Sequence, residues 1–305
     1  MTRPIDKSCA ITRTNSPALD AILGHSYPVL DHGFCRVIDY MGDDVAIVQM
    51  ARTSYGQGTK STSDDRGLIR YLMRHHHTSP MEGCEIKLHL KMPIFVARQW
   101  IRHRTAALNE VSGRYSVLPG EFYFPDAERL GRQSVTNKQG TGQSYDAATA
   151  EIILDQMDHA VDGADSMYRF FISPEVTENP ADSGYDLSRE LARIILPQNI
   201  YTEMYWKIDL HNLFHFLRLR ADAHAQWEIR QYADLICSLV ALWVPHAYGA
   251  WVDYRKEAVT FSRMEMEAIR EMATDILNIG VVPNRPDGMT DREVKEFHVK
   301  MGWTE

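Results

Sequence analysis

Four arginines, Arg98, Arg102, Arg104 and Arg114, fall within seventeen residues and surround His103, Asn109, Glu110 and Ser112. A guanidinium fork matches the oxygens of a phosphate or carboxylate two at a time, so such a cluster can hold an anionic ligand. The same residues could also form a solvated charged face. The whole chain carries a formal charge of -8, with 33 basic against 41 acidic side chains. That balance disfavours broad nucleic-acid binding, which needs an extended positive surface, so any anion must be held by a local cluster like this one.

Other chemistries have weaker support. Ser112 needs a base to become a nucleophile, and spacing alone does not place His103, nine positions earlier, beside it. The four cysteines, Cys9, Cys35, Cys84 and Cys237, contain no Cys-x-x-Cys pair and read as free thiols, with Cys84 and Cys237 in apolar patterns. His211 and His215 share a helix face at i and i+4, and His75, His76 and His77 could add a third ligand, which makes a histidine-based metallohydrolase the alternative reading. No glutamate follows His211 as a metalloprotease helix would require.

The elements that must position these residues are legible as patterns. In CEIKLHLKM, Cys84, Ile86, Leu88, Leu90 and Met92 alternate with Glu85, Lys87, His89 and Lys91, predicting a strand with one wet face, ended by Pro93. Ile200, Thr202, Met204, Trp206 and Ile208 predict a second strand, and residues 34–40 a third. Asp43 or Asp44 suits a helix N-cap, and Asp64-Asp65 starts another helix. Helices are expected over 94–103, 146–172, 186–196, 209–219 and 224–244, and a polar surface loop over 133–146. Ser262 with Glu265 and Thr290 with Glu293 form two capping boxes in the tail. Strands and helices in blocks, without βαβ alternation or a glycine-rich dinucleotide loop, predict an α+β fold with a mixed or antiparallel sheet and packed helices. The expected division is an N-terminal arm over 1–32, a main domain over 33–250 and a helical extension over 251–305. Neither an apolar stretch of membrane-spanning length nor a signal-peptide pattern is visible, so the cytoplasm is the expected compartment.

The arginine cluster carries a more specific message. Arg102-His103-Arg104, seven further residues and Ser112, continued by Asn109-Glu110, Gly113, Arg114, Tyr115 and Ser116, resemble the signature of the flavin-dependent thymidylate synthases. HTSPMEGCEIKLHLKMPIFVARQW upstream, with His77, Ser79-Pro80 and Glu82, and ELARIILPQNIYTEMYW and HFLRLRADAHAQWEIRQYA downstream resemble further blocks of that family, over about residues 33–245. Ala107, Met81 and Gly83 depart from the commoner serine, phenylalanine and histidine, and Asp209, His211 and His215 stand where other members carry asparagine or arginine.

The resemblance implies the family's fold in a homotetramer whose subunits share each pocket. It implies reductive methylation of dUMP to dTMP, with the carbon from 5,10-methylenetetrahydrofolate and electrons from NADPH through bound FAD. It places dUMP on Gln99, Trp100, Ile101, Arg102, Glu110, Val111, Ser112, Gly113, Arg114, Arg193 and Arg220. It places FAD on Ser79, Arg102, His103, Arg104, Glu110, Asp209, Leu210, His211 and His215, with no metal. Arg220 is the expected catalytic residue, because a permanent cation beside the uracil stabilises its N3-deprotonated form; its ordinary role would be a salt bridge to Asp222. Trp100 is the aromatic expected at the site, whereas Tyr55, Tyr115 and Trp206 suit a core role as well as a stacking one.

Overall fold

The computed structural model describes residues 13–53, 62–135, 138–177, 179, 182–278 and 287–301, with side chains omitted at 62–64 and 274–278. Cys9 and Tyr55 lie outside the described residues. The chain forms two compact units, Met1–Lys256 and Glu257–Glu305.

In the first unit, Ser16 caps the short helix α1 (Pro17–Asp20), which buries Leu19 completely. Strands β1 (Tyr27–Val29) and β2 (Gly33–Met41) form a hairpin. Asp43 then caps α2 (Asp44–Arg52), its carboxylate accepting the Ala46 amide at 2.9 Å. Helix α3 (Thr62–Arg74) begins two residues before Asp64-Asp65, so these acids sit in its first turn rather than at its cap. The short α4 (Ser79–Glu82) leads into β3 (Glu85–Pro93), and Pro93 ends the strand and opens α5 (Ile94–Trp100). The edge strand β4 (Ala107–Glu110) had no alternating signal to announce it.

Residues 133–146 are not simply a loop. They contribute to a two-stranded hairpin of β5 (Gly131–Gln133) and β6 (Thr141–Ser144), whose glycines and polar residues hid it from a search for alternating apolar positions. The long α6 (Ala147–Ile172) follows, but the helix expected over 186–196 shrinks to α7 (Arg189–Ala192) and one tighter turn over Arg193–Ile195. Strand β7 (Tyr201–Asp209) runs directly into α8 (Leu210–Arg220), and α9 (Trp227–Trp243) and α10 (Pro245–Trp251) complete the unit. The second unit holds α11 (Arg263–Asn278) and α12 (Asp291–Met301). Both capping boxes form there: the Ser262 amide donates to Glu265 at 2.7 Å and the Thr290 amide to Glu293 at 2.6 Å.

Five strands build the main sheet in the order β1-β2-β3-β7-β4, and every neighbouring pair is antiparallel. Cys35, Val37, Ile86, Leu88, Leu90, Met204, Trp206 and Ile208 belong to one buried cluster that includes the apolar sides of α5, α8 and α9. An aromatic cage closes it, with the Trp100 ring 5.1 Å from Trp206 and 4.5 Å from Phe216. His89 departs from the expected wet face. It is buried because Tyr205 stacks on it at 4.5 Å, Arg36 Nε donates to its Nδ1 at 2.9 Å, and its Nε2 meets Glu203 at 3.1 Å.

The hairpin joins the core where Gly33 lies beneath Tyr232, whose hydroxyl donates to the Lys91 carbonyl at 2.6 Å. A methyl group at Gly33 would meet that hydroxyl at 2.1 Å, the Val29 carbonyl at 2.5 Å and the Lys91 carbonyl at 2.8 Å. Two of these neighbours are backbone and cannot swing aside. Gly33→Ala is therefore expected to lower stability by about 1–3 kcal/mol. A lower urea midpoint at unchanged m-value checks this, and an unchanged midpoint would contradict it.

Candidate active site

The arginine block owes its exposure to one buried residue. Trp100 ends α5 inside the aromatic cage with no exposed surface, so the chain must turn outward immediately afterwards. Ile101, Arg102 and Arg104 are exposed there, and His103 is half-buried. Among the described residues neither Arg102 nor Arg104 makes an ion pair. The expected stacking role of Trp100 is corrected: its ring belongs to the core, and so does that of Trp206.

Arg220, at the last turn of α8, returns to this turn. Its Nε donates to His103 Nε2 at 3.1 Å and its Nη2 to the Gln99 carbonyl at 3.4 Å. The alternative partner Asp222 is engaged by His224 instead, at 2.8 Å to the amide and 2.9 Å to the ring. Since His103 Nε2 accepts a hydrogen bond from a cation, the imidazole must be neutral. Burial first, then Arg220 and His215, lowers its pKa to about 4. The Gln99 side chain donates to Gln226, tying the end of α5 to the start of α9.

Beside this pair lies a cavity of about 170 Å³ walled by α3, α4, α8 and α10. His211 and His215 line it, the His215 ring 6.0 Å from His103, and Thr78, next to Ser79 in the first turn of α4, lines the opposite side. Its apolar wall includes Phe214 and Trp251, stacked at 5.1 Å and 11°. Asp209 and Leu210 play supporting parts: the Asp209 carboxylate caps α8 through Asn212 at 2.9 Å, and the Leu210 side chain is fully buried. His76 and His77 also border the cavity, but among the described residues no group of three or more histidine, cysteine or acidic side chains could hold a metal ion. The metallohydrolase reading gains no support from this geometry.

The remaining predicted residues form a second cluster. β4 pairs with β7, and the Glu110 carboxylate accepts from Thr202 Oγ1 at 2.7 Å. Val111 extends the ladder by donating to the Glu203 carbonyl at 2.8 Å. Gly113 is buried against Arg193, and a methyl group there would lie 3.3 Å from Arg193 Cδ. Ser112 Oγ accepts the Arg114 amide at 3.3 Å, and Arg114 pairs with Glu190 at 2.8 Å. Among the described residues no hydrogen bond or ion pair joins this cluster to Arg220 and His103. Glu190 and Arg189, which donates to the Tyr115 carbonyl at 3.0 Å, were not singled out from sequence, because each looks like an ordinary exposed charge until the fold brings it to the block, and Thr202 was read only as one position of a strand's alternation.

An antiparallel sheet covered by helices, with arginines and histidines gathered around a partly aromatic cavity, is chemically suited to an anionic, ring-bearing ligand. Residues 36–246 match the family model described as thymidylate synthase complementing protein. A flavin-dependent thymidylate synthase of Ruegeria pomeroyi is 52% identical over 290 residues, 95% of this chain and 92% of its own. That of Wolbachia pipientis is 53% identical over 263 residues, 86% and 89%. Among solved structures, the UMP/dUMP methylase PolB from Streptomyces cacaoi, bound with 5-Br dUMP, superposes with a TM-score of 0.64 at 30% identity, covering 75% of this chain and 99% of its own. The chain belongs to the flavin-dependent thymidylate synthase family.

The neutral His103 sets a pH dependence. In the unfolded chain a histidine takes up a proton near its ordinary value of 6.5, whereas in the fold His103 resists protonation down to about 4. The unfolded state therefore binds more protons in that window, and this residue's contribution falls as the pH drops from about 6.5 to 4. His103→Gln is expected to flatten the acid side of the stability profile relative to the unsubstituted protein. Parallel denaturation midpoints from pH 7 to 4.5 would contradict this.

Proposed function

We propose that this protein reductively methylates dUMP to dTMP, with methylenetetrahydrofolate as carbon donor, NADPH as reductant and FAD as the bound cofactor. The single observation that carries the reading is the Arg220–His103 pair, a half-buried cation held by a neutral imidazole beside the cavity. The donor set fits a flavin dinucleotide. Arg102 and Arg104 carry no carboxylate partner among the described residues and suit its pyrophosphate, while the neutral His103 and the rings of His211 and His215 offer hydrogen-bonding groups at and beside the cavity. Ser79, Glu110, Asp209 and Leu210 complete the proposed flavin shell, the last two through the start of α8.

When bound, the flavin supplies the hydride. The chain's own part is to bind, orient and polarise. Two of the Arg220 donors are occupied by His103 and Gln99, which fixes the plane of the guanidinium and leaves its other N–H groups for the uracil. Held there, the cation stabilises negative charge on a ring deprotonated at N3 and so makes C5 more nucleophilic. Half-burial strengthens that interaction by reducing water screening.

The dUMP phosphate falls to Arg114 and Arg193 beside Ser112 and Gly113, with Gln99, Ile101, Arg102, Glu110 and Val111 around the nucleoside and Trp100 acting through its backbone. Because no hydrogen bond or ion pair joins that cluster to Arg220 among the described residues, and Tyr115 and Ile194 beside it are 75% and 77% exposed, we propose that another copy completes each pocket in a homotetramer. Such a chain would act in the cytoplasm.

The reading asks for no protein nucleophile. Burial raises the pKa of the Cys35 and Cys237 thiols and pushes Cys84 up to about 12, so all three stay protonated at neutral pH.

The purified protein is expected to carry FAD noncovalently and to form dTMP only when dUMP, the folate and NADPH are all present. A colourless protein that neither binds added FAD nor forms dTMP would overturn the reading. Light scattering is expected to give the mass of four chains. Arg220→Ala should lose about 2.7–4 kcal/mol of transition-state stabilisation, with lysine recovering only part. Near-normal turnover in Arg220→Ala, at unchanged flavin content, would remove the residue from this role. Replacing all four cysteines with serine should leave methylation detectable in whatever fraction remains folded.

A further inference from the structure

The cavity beside His211 and His215 has a second cationic feature that methylation of dUMP, as described above, leaves unused. Arg218 reaches it from the exposed side of α8, and Arg255 reaches it from the turn Val252–Lys256 that follows α10. That turn is clamped: Arg70 pairs with Asp253 and donates to the Tyr254 hydroxyl at 2.8 Å. Arg255 is oriented in turn, with Nη1 2.9 Å from His76 Nε2 and Nη2 donating to the Met73 carbonyl. Neither Arg218 nor Arg255 makes an ion pair among the described residues, and no acidic side chain lines the cavity. Burial disfavours the charge of Arg255 and Arg218 repels it. Two guanidiniums bordering one cavity, Arg255 fixed and Arg218 free to move, without a counter-charge among the described residues, are the arrangement that an incoming phosphate or carboxylate relieves.

The apolar wall limits what carries that anion. Phe214 and Trp251, stacked on one another, and Met73 and Met81 are almost wholly buried, so the wall offers a narrow apolar floor beside the two arginines rather than a ring face to stack on. A volume of about 170 Å³ is below the roughly 300–1,000 Å³ of sites that enclose a whole drug-sized ligand, so it suits one end of a longer molecule.

We infer that Arg218 and Arg255 bind the anionic end, phosphate or carboxylate, of one of the two cosubstrates, the rest of which extends toward the flavin. This deepens the synthase reading and rests on it for the identity of the molecules. Two sources share the chemistry: the 2′-phosphate of the nicotinamide dinucleotide and the glutamyl carboxylates of the folate.

The test compares matched ligands on the flavin-loaded protein by calorimetry: NADP⁺ against NAD⁺, and triglutamyl against monoglutamyl tetrahydrofolate. The unsubstituted protein should prefer the more anionic member of one pair, and that pair names the source. Arg218→Ala, at an exposed side chain that makes no hydrogen bond among the described residues, should reduce that preference by about tenfold, the scale of one charge-assisted hydrogen bond. Arg255→Lys, which keeps the charge but loses the fork, should reduce it by less. Flavin per protomer and dUMP affinity should be unchanged in both. A protein without preference in either pair, a preference that survives Arg218→Ala, or a parallel loss of flavin that assigns these cations to the cofactor would each overturn the inference. Failure of the unsubstituted protein to bind flavin or dUMP would instead count against the synthase reading, while the matched pairs still report on the anion site.

Discussion

The burial of Trp100 is the constraint on which the rest of the site depends. Its ring is fully inside, boxed by Trp206 from β7, Phe216 from α8 and Tyr232 from α9, so one side chain joins four elements. Burying an aromatic of this size contributes several kcal/mol, and truncating one costs about 3–5 kcal/mol, more than any surface ion pair in the molecule can offer. The same anchoring leaves Ile101 to Arg104 no room in the core and turns them to the surface within three residues. Packing at one position thus sets the register in which Arg102 and Arg104 are displayed on either side of the neutral His103.

Electrostatics then select among those side chains. Many arginines in this acidic chain are neutralised: Arg52 by Asp65, Arg70 by Asp253, Arg114 by Glu190 and Arg169 by Asp165. Arg102, Arg104, Arg218 and Arg220 make no such pair among the described residues, and all four lie on or beside the two stretches that meet at the His103–Arg220 contact. Arg220 is the most constrained of them, because a neutral imidazole orients it without cancelling its charge. A carboxylate in the place of His103 would hold the fork equally well but would spend the cation on a permanent partner.

Much of this was legible in the sequence where one local rule governed. Strict alternation announced β3 and β7, and side-chain caps announced α2 and the two tail helices, since both signals come from neighbours in sequence. The misses share a cause. β4 and the β5–β6 hairpin have no apolar alternation because β4 is exposed along its length and the hairpin consists of glycine and polar residues, so only pairing partners reveal them. His89 looked wet by position yet is covered by Tyr205 and Arg36, two strands apart from one another. At the site, the motif only nominated residues, and Trp100 shows its limit: a motif does not say whether a residue acts through its ring or by holding its neighbours in place.

On the proposed reading the chain obtains its rate from arrangement rather than from a nucleophile of its own. Its buried thiols remain protonated, and Ser112 is bonded to the Arg114 amide while His103 serves Arg220, so neither supplies a base-and-nucleophile pair. What remains is preorganised charge next to a cavity with an aromatic wall. Such a device works only if the cation is already in place before the ligand arrives, since moving it there during the reaction would return the stabilisation as reorganisation cost. The hydrogen bonds from Arg220 to His103 and to the Gln99 carbonyl are made within the chain itself, and Gln99 is in turn tied to α9 through Gln226. The folded chain therefore bears that cost once, in its packing, and on the proposed reading the ligand meets a guanidinium already oriented.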